Sequence, residues 1–232
     1  MLPLVTPNAV TETRLTHTEN TKQKVRVRME RGATERPDFM SFVLRNQGKE
    51  DELTLPEIIP NANTLILAGS ETTATLLSGA TYLLCKNPGP YSKLVAEIRQ
   101  SFASNDEINF ASVTKLEYTM AVLNESLRLY PPVPNALSRY ITDPAGDYVM
   151  GERLPYGVSL IVFPQWRNKE FADVVQTKCG ISQYAVYTLE ANFRDPMIFT
   201  PERWTGDPAY ENDNRAVFQP FSFGARNCIG RK

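Results

Sequence analysis

From Thr11 to Gly32 the chain is polar and charged, with Lys22, Lys24, Arg26, Arg28 and Arg31. It reads as a solvated helix face rather than a binding patch. A loop at Glu35-Arg-Pro-Asp38 leads to a short apolar piece, Phe39 to Leu44, and Gly48 to Asp51 reads as a linker. Apolar positions then crowd together: Ile58, Ile59, Ala62, Leu65, Ile66, Ala68, Leu76, Leu77, Ala80, Leu83 and Leu84. They cover much of a helix circumference, so the pattern predicts one long buried helix. Thr54-Leu-Pro-Glu57 supplies a capping-box start, and Asn87-Pro88 an end. Pro60 predicts a kink in the first turn or a later start. A second helix is predicted over Pro90 to Phe102, and a third from about Leu116 to Leu129, stopped by Pro131-Pro132. After Leu137 the period changes. Tyr148-Val-Met and Val158 to Phe163 read as strands joined by a turn at Pro155-Tyr-Gly157. The predicted class is mainly α with a small β portion.

Composition narrows the picture a little. The 232 residues suffice for one large domain or two small ones, and 42% hydrophobic with 22% charged residues is ordinary for a globular chain. A formal net charge of −1 gives no hint of a nucleic-acid partner. Cys85, Cys179 and Cys228 are an odd set without paired spacing, which favours a reducing compartment over a disulfide framework. The opening Met-Leu-Pro-Leu-Val-Thr-Pro has no basic or apolar run, so no signal peptide is expected. No stretch of 18 uninterrupted apolar residues occurs, so no spanning helix is expected. His17, the one histidine, lies in the polar segment and reads as a surface residue.

Chemistry concentrates at the C-terminus, in Phe221-Ser-Phe-Gly-Ala-Arg-Asn-Cys-Ile-Gly-Arg-Lys232. Gly224 and Gly230 let the backbone approach a flat ligand. Arg226 suits a carboxylate, and Phe221 and Phe223 exclude water. The set suits Cys228 as a thiolate holding a metal centre in an apolar pocket. Residues 221–230 resemble the haem-binding signature of the cytochrome P-450 monooxygenases, with every fixed position filled. The resemblance implies Cys228 as the axial ligand of haem b (iron protoporphyrin IX), Arg226 paired with a haem propionate, and Phe221 packed beside the sulfur. An axial thiolate pushes electron density onto haem iron and favours O–O cleavage.

Two further patterns join it. In Glu125-Ser-Leu-Arg128 the charges share one helix face. By resemblance they form a buried structural network with Arg203 of Pro201-Glu-Arg203-Trp204. In Ala68-Gly69-Ser-Glu71-Thr72-Thr73, Gly69 costs a helix about 1 kcal/mol against alanine and so needs a reason. The resemblance implies that Gly69 leaves room for dioxygen, with Glu71 and Thr72 relaying protons. It also implies Arg139 at a propionate, and Val133, Pro134, Ala136 and Leu137 along a substrate pocket.

The resemblance carries expectations beyond the site: a eukaryotic, fungal-type microsomal member, a small lipophilic organic substrate, and electrons from NADPH through NADPH-cytochrome P-450 reductase. Full-length relatives are expected at the endoplasmic reticulum membrane; this chain, without the anchor, is expected to be intracellular. It corresponds to roughly the C-terminal half of a family member, residues 1–232 forming one partial domain. Residues 167–184, with Cys179, match nothing in the family pattern and read as an anomalous insertion, a translated intron or gene-model error. Two functions stand side by side: a haem monooxygenase, or a truncated non-catalytic remnant that does not hold haem stably.

Overall fold

A computed structural model of the protein describes residues 8–32, 38–50, 52–135, 139–141, 143–149, 151–154, 159–160 and 180–231. The chain divides into two units, Met1–Glu71 and Thr72–Lys232.

In the first unit, the polar stretch forms α1 (Asn8–Glu30) and the short apolar piece forms α2 (Phe39–Arg45). The charges of α1 are used as a solvated face uses them. Lys24, Arg26 and Arg31 are exposed, and Lys22 Nζ lies 3.1 Å from Glu19. Arg28 reaches further, donating from Nε to Asp38 Oδ2 at 2.7 Å and from Nη2 to Oδ1 at 3.0 Å. Asp38 also caps α2 by accepting the Ser41 N–H at 2.9 Å. The hydrogen bond from Arg28, helped by those from Ser41 and opposed by burial, holds the Asp38 carboxyl well below the usual carboxylate range. Thr21, Val25 and Ile58 form the buried centre, where Thr21 Oγ1 donates to Asn63 Oδ1 at 3.1 Å. His17 corrects its expectation as a surface residue: it is half-buried, and its Nε2 is enclosed without a hydrogen-bond partner among the described residues.

The long apolar run forms α3 (Leu55–Lys86). It starts at the expected cap, where Glu57 Oε2 accepts from Thr54 N at 2.8 Å and from Thr54 Oγ1 at 2.7 Å. Pro60 does not delay the start. It lies inside the helix, near enough to its beginning to forfeit only the bond to the Pro56 carbonyl. Burial differs from the expectation. Among the described apolar residues of α3, only Ile58 and Ala80 are buried, while Leu65, Leu67, Leu77 and Tyr82 are exposed. An apolar circumference states what a helix needs, and the described residues cover little of it.

The second unit holds α4 (Pro88–Ser101), α5 (Phe110–Val113), α6 (Glu117–Leu129) and α7 (Gln183–Tyr187). Helix α4 starts two residues before the predicted Pro90, because a proline in the first turn gives up an N–H that has no partner there anyway. Helix α6 has Leu116 at its N-cap, which offers no side-chain acceptor. Glu97 of α4 supplies one: Oε1 accepts the Tyr118 N–H at 2.8 Å, and Oε2 accepts the Thr119 N–H at 2.8 Å and the Thr119 hydroxyl at 2.7 Å. A carboxylate on otherwise orphaned N–H groups at the positive end of the dipole is stabilising. Glu97→Ala is expected to lower stability by about 1–2 kcal/mol, read as a shifted urea midpoint; an unchanged midpoint would show that water replaces the cap. Nearby, Glu202 Oε1 accepts from Lys93 Nζ at 2.6 Å and from Tyr118 OH at 2.9 Å. Burial raises the Glu202 carboxyl, but the bonds from Lys93, its own backbone N–H and Tyr118 outweigh it and leave it below its ordinary value.

Helices α3 and α6 meet at Gly79. A Cβ there would lie 2.4 Å from Cδ1, 2.9 Å from Cγ and 3.1 Å from Cβ of Tyr130, so even alanine collides with the base of the tyrosine side chain. Gly79→Ala is expected to cost about 1–3 kcal/mol through overpacking. Tyr130→Ala should remove most of that penalty in the double variant, which a double-mutant cycle measures. Additive losses would mean that Gly79 matters for something other than Tyr130.

The strands pair differently from the prediction. β2 (Asp147–Val149) pairs antiparallel with β3 (Glu152–Leu154), Val149 opposite Glu152, and the chain reverses at Gly151 with φ 85°. β4 (Ser159–Leu160) pairs instead with β1 (Arg139–Tyr140), Arg139 opposite Leu160. The expected turn at 155–157 and the strand residues 161–163 lie outside the described residues. Gly151, which takes a left-handed conformation without cost, is the turn that the sequence reading passed over.

Candidate functional site

The two charges of Glu125-Ser-Leu-Arg128 do share one face of α6, and both side chains are fully buried. Arg128 donates from Nε to Glu125 Oε2 at 2.9 Å and from Nη2 to Oε1 at 2.7 Å. Its other bonds go to backbone carbonyls: Tyr187 at 2.9 Å, Pro196 at 2.6 Å and Ile198 at 3.3 Å. Every N–H of the guanidinium is thereby used. The segment Pro201–Trp204 forms a 3-10 turn against α6 and brings Arg203, also fully buried, to 3.1 Å from Glu125. Thr200 N and Trp204 Nε1 add donors to Glu125 at 3.0 and 2.9 Å. Both guanidinium groups lie over the Phe193 ring, at 5.2 and 5.8 Å from its centroid.

Sequence reasoning named two cations and one anion for this network. The missing charge is Asp213, which accepts from Arg203 Nη1 and, through Oδ1, from Arg194 N at 2.7 Å. Its side chain is 1% exposed. Two carboxylates then balance two guanidiniums, which is the condition under which buried charges persist. Asp213 follows an irregular stretch, with no periodicity to place it.

The cysteine loop rests on the adjoining segment. Gln183 Nε2 of α7 donates to the Gln219 carbonyl at 3.0 Å, and Ser222 N donates to the same carbonyl at 2.9 Å. The Cys228 N–H closes the loop onto the Phe221 carbonyl at 2.8 Å, and Asn227 N bonds Gly224 O at 3.1 Å. Gly224 has φ 84°, so its glycine is required by conformation. Gly230 lies close under the sulfur: a Cβ there would be 3.7 Å from Cys228 Sγ. The Cys228 thiol is exposed, as are Arg226, Phe221, Phe223 and Ile229. The apolar groups therefore do not close a pocket among the described residues. Exposed aromatic, cationic and thiol side chains thus lie within one short loop, a set of groups that suits a flat apolar ligand bearing carboxylates.

The remaining candidates are spread over α3 and the chain after α6. Among the described residues, a Cβ on Gly69 would meet nothing within 4 Å, unlike one on Gly79. Glu71 is exposed and Thr72 half-buried, next to one another on α3. Val133 is half-buried and Pro134 exposed. The Pro134 carbonyl accepts from Ser182 Oγ at 2.8 Å and from Tyr184 N at 3.2 Å, tying residues 182–184 to the end of α6. Arg139 lies on β1, while Ala136, Leu137 and residues 167–179 lie outside the described residues.

The family model for cytochrome P-450 matches residues 8–170 and 175–232. Cytochrome P-450 monooxygenase astA of Talaromyces wortmannii is 42% identical over 225 residues, covering 97% of this chain and 41% of that protein. An averantin hydroxylase of Dothistroma septosporum is 40% identical over 232 residues, covering all of this chain and 40% of its own length. The chain thus spans about two-fifths of the length of these relatives. A crystal structure of a cytochrome P-450 haem domain superposes with a TM-score of 0.70 at 21% identity, covering 98% of this chain and 47% of that one. It shares the fold. Among the described residues, no helix is long and apolar enough to cross a membrane.

Proposed function

Since the chain belongs to the cytochrome P-450 family, we propose that it is the haem-thiolate portion of a monooxygenase that inserts one oxygen atom from O2 into a small lipophilic organic substrate. The observation that carries this reading is the Cys228 loop, closed by the Cys228 N–H on the Phe221 carbonyl, with its thiol exposed. Haem b supplies oxygen activation when bound, with electrons from NADPH through a cytochrome P-450 reductase. The protein's own residues bind and orient. Cys228 would hold the iron as a thiolate, Gly224 and Gly230 would permit close approach, and Phe221 would shield the sulfur. Arg226 and Arg139 would hold the propionates by charge. Gly69 would leave space on α3, where the Thr72 hydroxyl would pass on a proton and regain one from the protonated Glu71 carboxylic acid, itself reprotonated from solvent. Val133, Pro134, Ala136 and Leu137 line the substrate side. Glu125, Arg128, Arg203 and Asp213 do no chemistry; they hold the shell behind the loop.

The test is the carbon monoxide difference spectrum of the reduced, haem-loaded chain. A thiolate-type Soret band that disappears in Cys228→Ala is the expected result. Folded protein that takes up no haem would favour a second reading, that this chain does not hold haem stably. The exposed Leu65, Leu67 and Leu77 on α3 are the observation on that side.

A further inference from the structure

Tyr187, the last residue of α7, belongs to none of the motifs above, yet it is 1% exposed and bonds in two directions. Its carbonyl accepts from Arg128 Nη1 at 2.9 Å, inside the buried ion network. Its phenolic oxygen accepts the Gln219 N–H at 2.9 Å. Gln219 opens the run into the cysteine loop, and its carbonyl takes the Ser222 N–H at 2.9 Å. One residue before Ser222, the Phe221 carbonyl takes the Cys228 N–H at 2.8 Å.

The ring itself closes a second path. Tyr187 packs on Phe218 at 5.2 Å between centroids, and Phe218 on Trp204 at 4.6 Å. Trp204 Nε1 returns to Glu125 Oε2 at 2.9 Å. Backbone, hydroxyl and ring therefore connect one residue both to the rigid charge cluster and to the root of the loop. That root needs holding. Ser222 has φ 62°, a left-handed conformation that a non-glycine residue keeps only when its surroundings enforce it.

We infer that Tyr187 is a positioning residue for Cys228, carrying the rigidity of the Glu125–Arg128–Arg203–Asp213 network into the loop that presents the thiol. The purpose of this coupling rests on the proposed haem-thiolate role, whereas the coupling itself does not. It acts through Gln219 and Phe221, and it leaves the ligand identity of Cys228 unchanged.

The deciding variant is Tyr187→Phe, which keeps the ring stack and removes only the acceptor. Hydrogen exchange on the full chain gives a haem-independent measurement. In the unaltered protein the Gln219 amide must be protected. In Tyr187→Phe, exchange at the Gln219 and Ser222 amides is expected to quicken roughly three- to tenfold, the loss of one net hydrogen bond, while α6 amides stay within twofold. The second measurement is haemin titration followed by the reduced carbon monoxide spectrum, where the variant should show a smaller share of thiolate-type Soret intensity than the unaltered chain. An unprotected Gln219 amide in the unaltered protein overturns the inference without any variant. So does a Tyr187→Phe chain matching the unaltered one in exchange and spectrum. If the unaltered chain takes no haem but exchange at the Gln219 and Ser222 amides responds as expected, the coupling stands and the haem-thiolate reading fails.

Discussion

Glu125→Gln is expected to lower stability by about 3–5 kcal/mol, the loss seen when one partner of a buried ion pair is removed. That is a large share of the ~5–15 kcal/mol that holds an ordinary domain together. Glutamine matches glutamate in shape and still offers a carbonyl oxygen, so the change isolates charge from packing. Five donors converge on the native carboxylate: Arg128 Nε and Nη2, Arg203 Nε, Thr200 N and Trp204 Nε1. In the variant, two guanidiniums face Asp213 alone, and the amide NH2 points at donors. Urea unfolding followed by far-UV circular dichroism measures the loss, expected as a drop of more than about 1 M in midpoint. Lys93→Ala is the control. It breaks the pair with Glu202 at a side chain 60% exposed and should cost no more than about 1 kcal/mol. If Glu125→Gln stayed within about 1 kcal/mol of the unaltered protein, hydrogen-bond geometry rather than charge balance would be holding this core.

Cys228→Ser is expected to do the reverse: abolish the thiolate-type Soret band and leave the fold unchanged. The side chain is exposed, and the loop is closed by backbone bonds of residues 219, 221, 222, 224, 227 and 228 that the substitution does not touch. Exposed substitutions of this kind stay within about 0.5 kcal/mol. A hydroxyl is a far weaker ligand and donor to iron than a thiolate, so spectrum and stability should separate completely. Retention of a thiolate-type band in Cys228→Ser would transfer the ligand role to another cysteine, and exposed Cys85 is the one to exchange next. Together the two variants separate the residues that hold the fold from the residue proposed to hold haem.

What could be read from the sequence follows from the range of each interaction. Glu125 and Arg128 were legible because their partnership is set by helix spacing alone, and Thr54 and Glu57 for the same reason. Arg203 was placed through the family resemblance, and the structure brings it to Glu125 across 78 residues. Asp213 and Glu97 were missed because each serves an element distant in sequence and sits in no pattern of its own. Gly79 was missed because its reason, the Tyr130 ring, comes 51 positions later. The length of α3 was legible and its burial was not: periodicity reports the apolar demand of a helix, while burial depends on what covers it. The β pairing failed at Gly151, where a proline–glycine cluster further on looked like the stronger turn signal.

The span from Glu125 to Arg203 also has a meaning in time. The two ends of the network are 78 residues apart, and at roughly 5–20 residues per second a ribosome needs on the order of 4–16 s to make the stretch between them. During that interval α6 carries an anion and a cation on its face, together with Ala121, Val122 and Leu127, all destined for burial. Neither Trp204 nor Asp213 yet exists to meet them. The buried charges of α6 can therefore be fully paired only after Arg203, Trp204 and Asp213 have been made, so this core closes late.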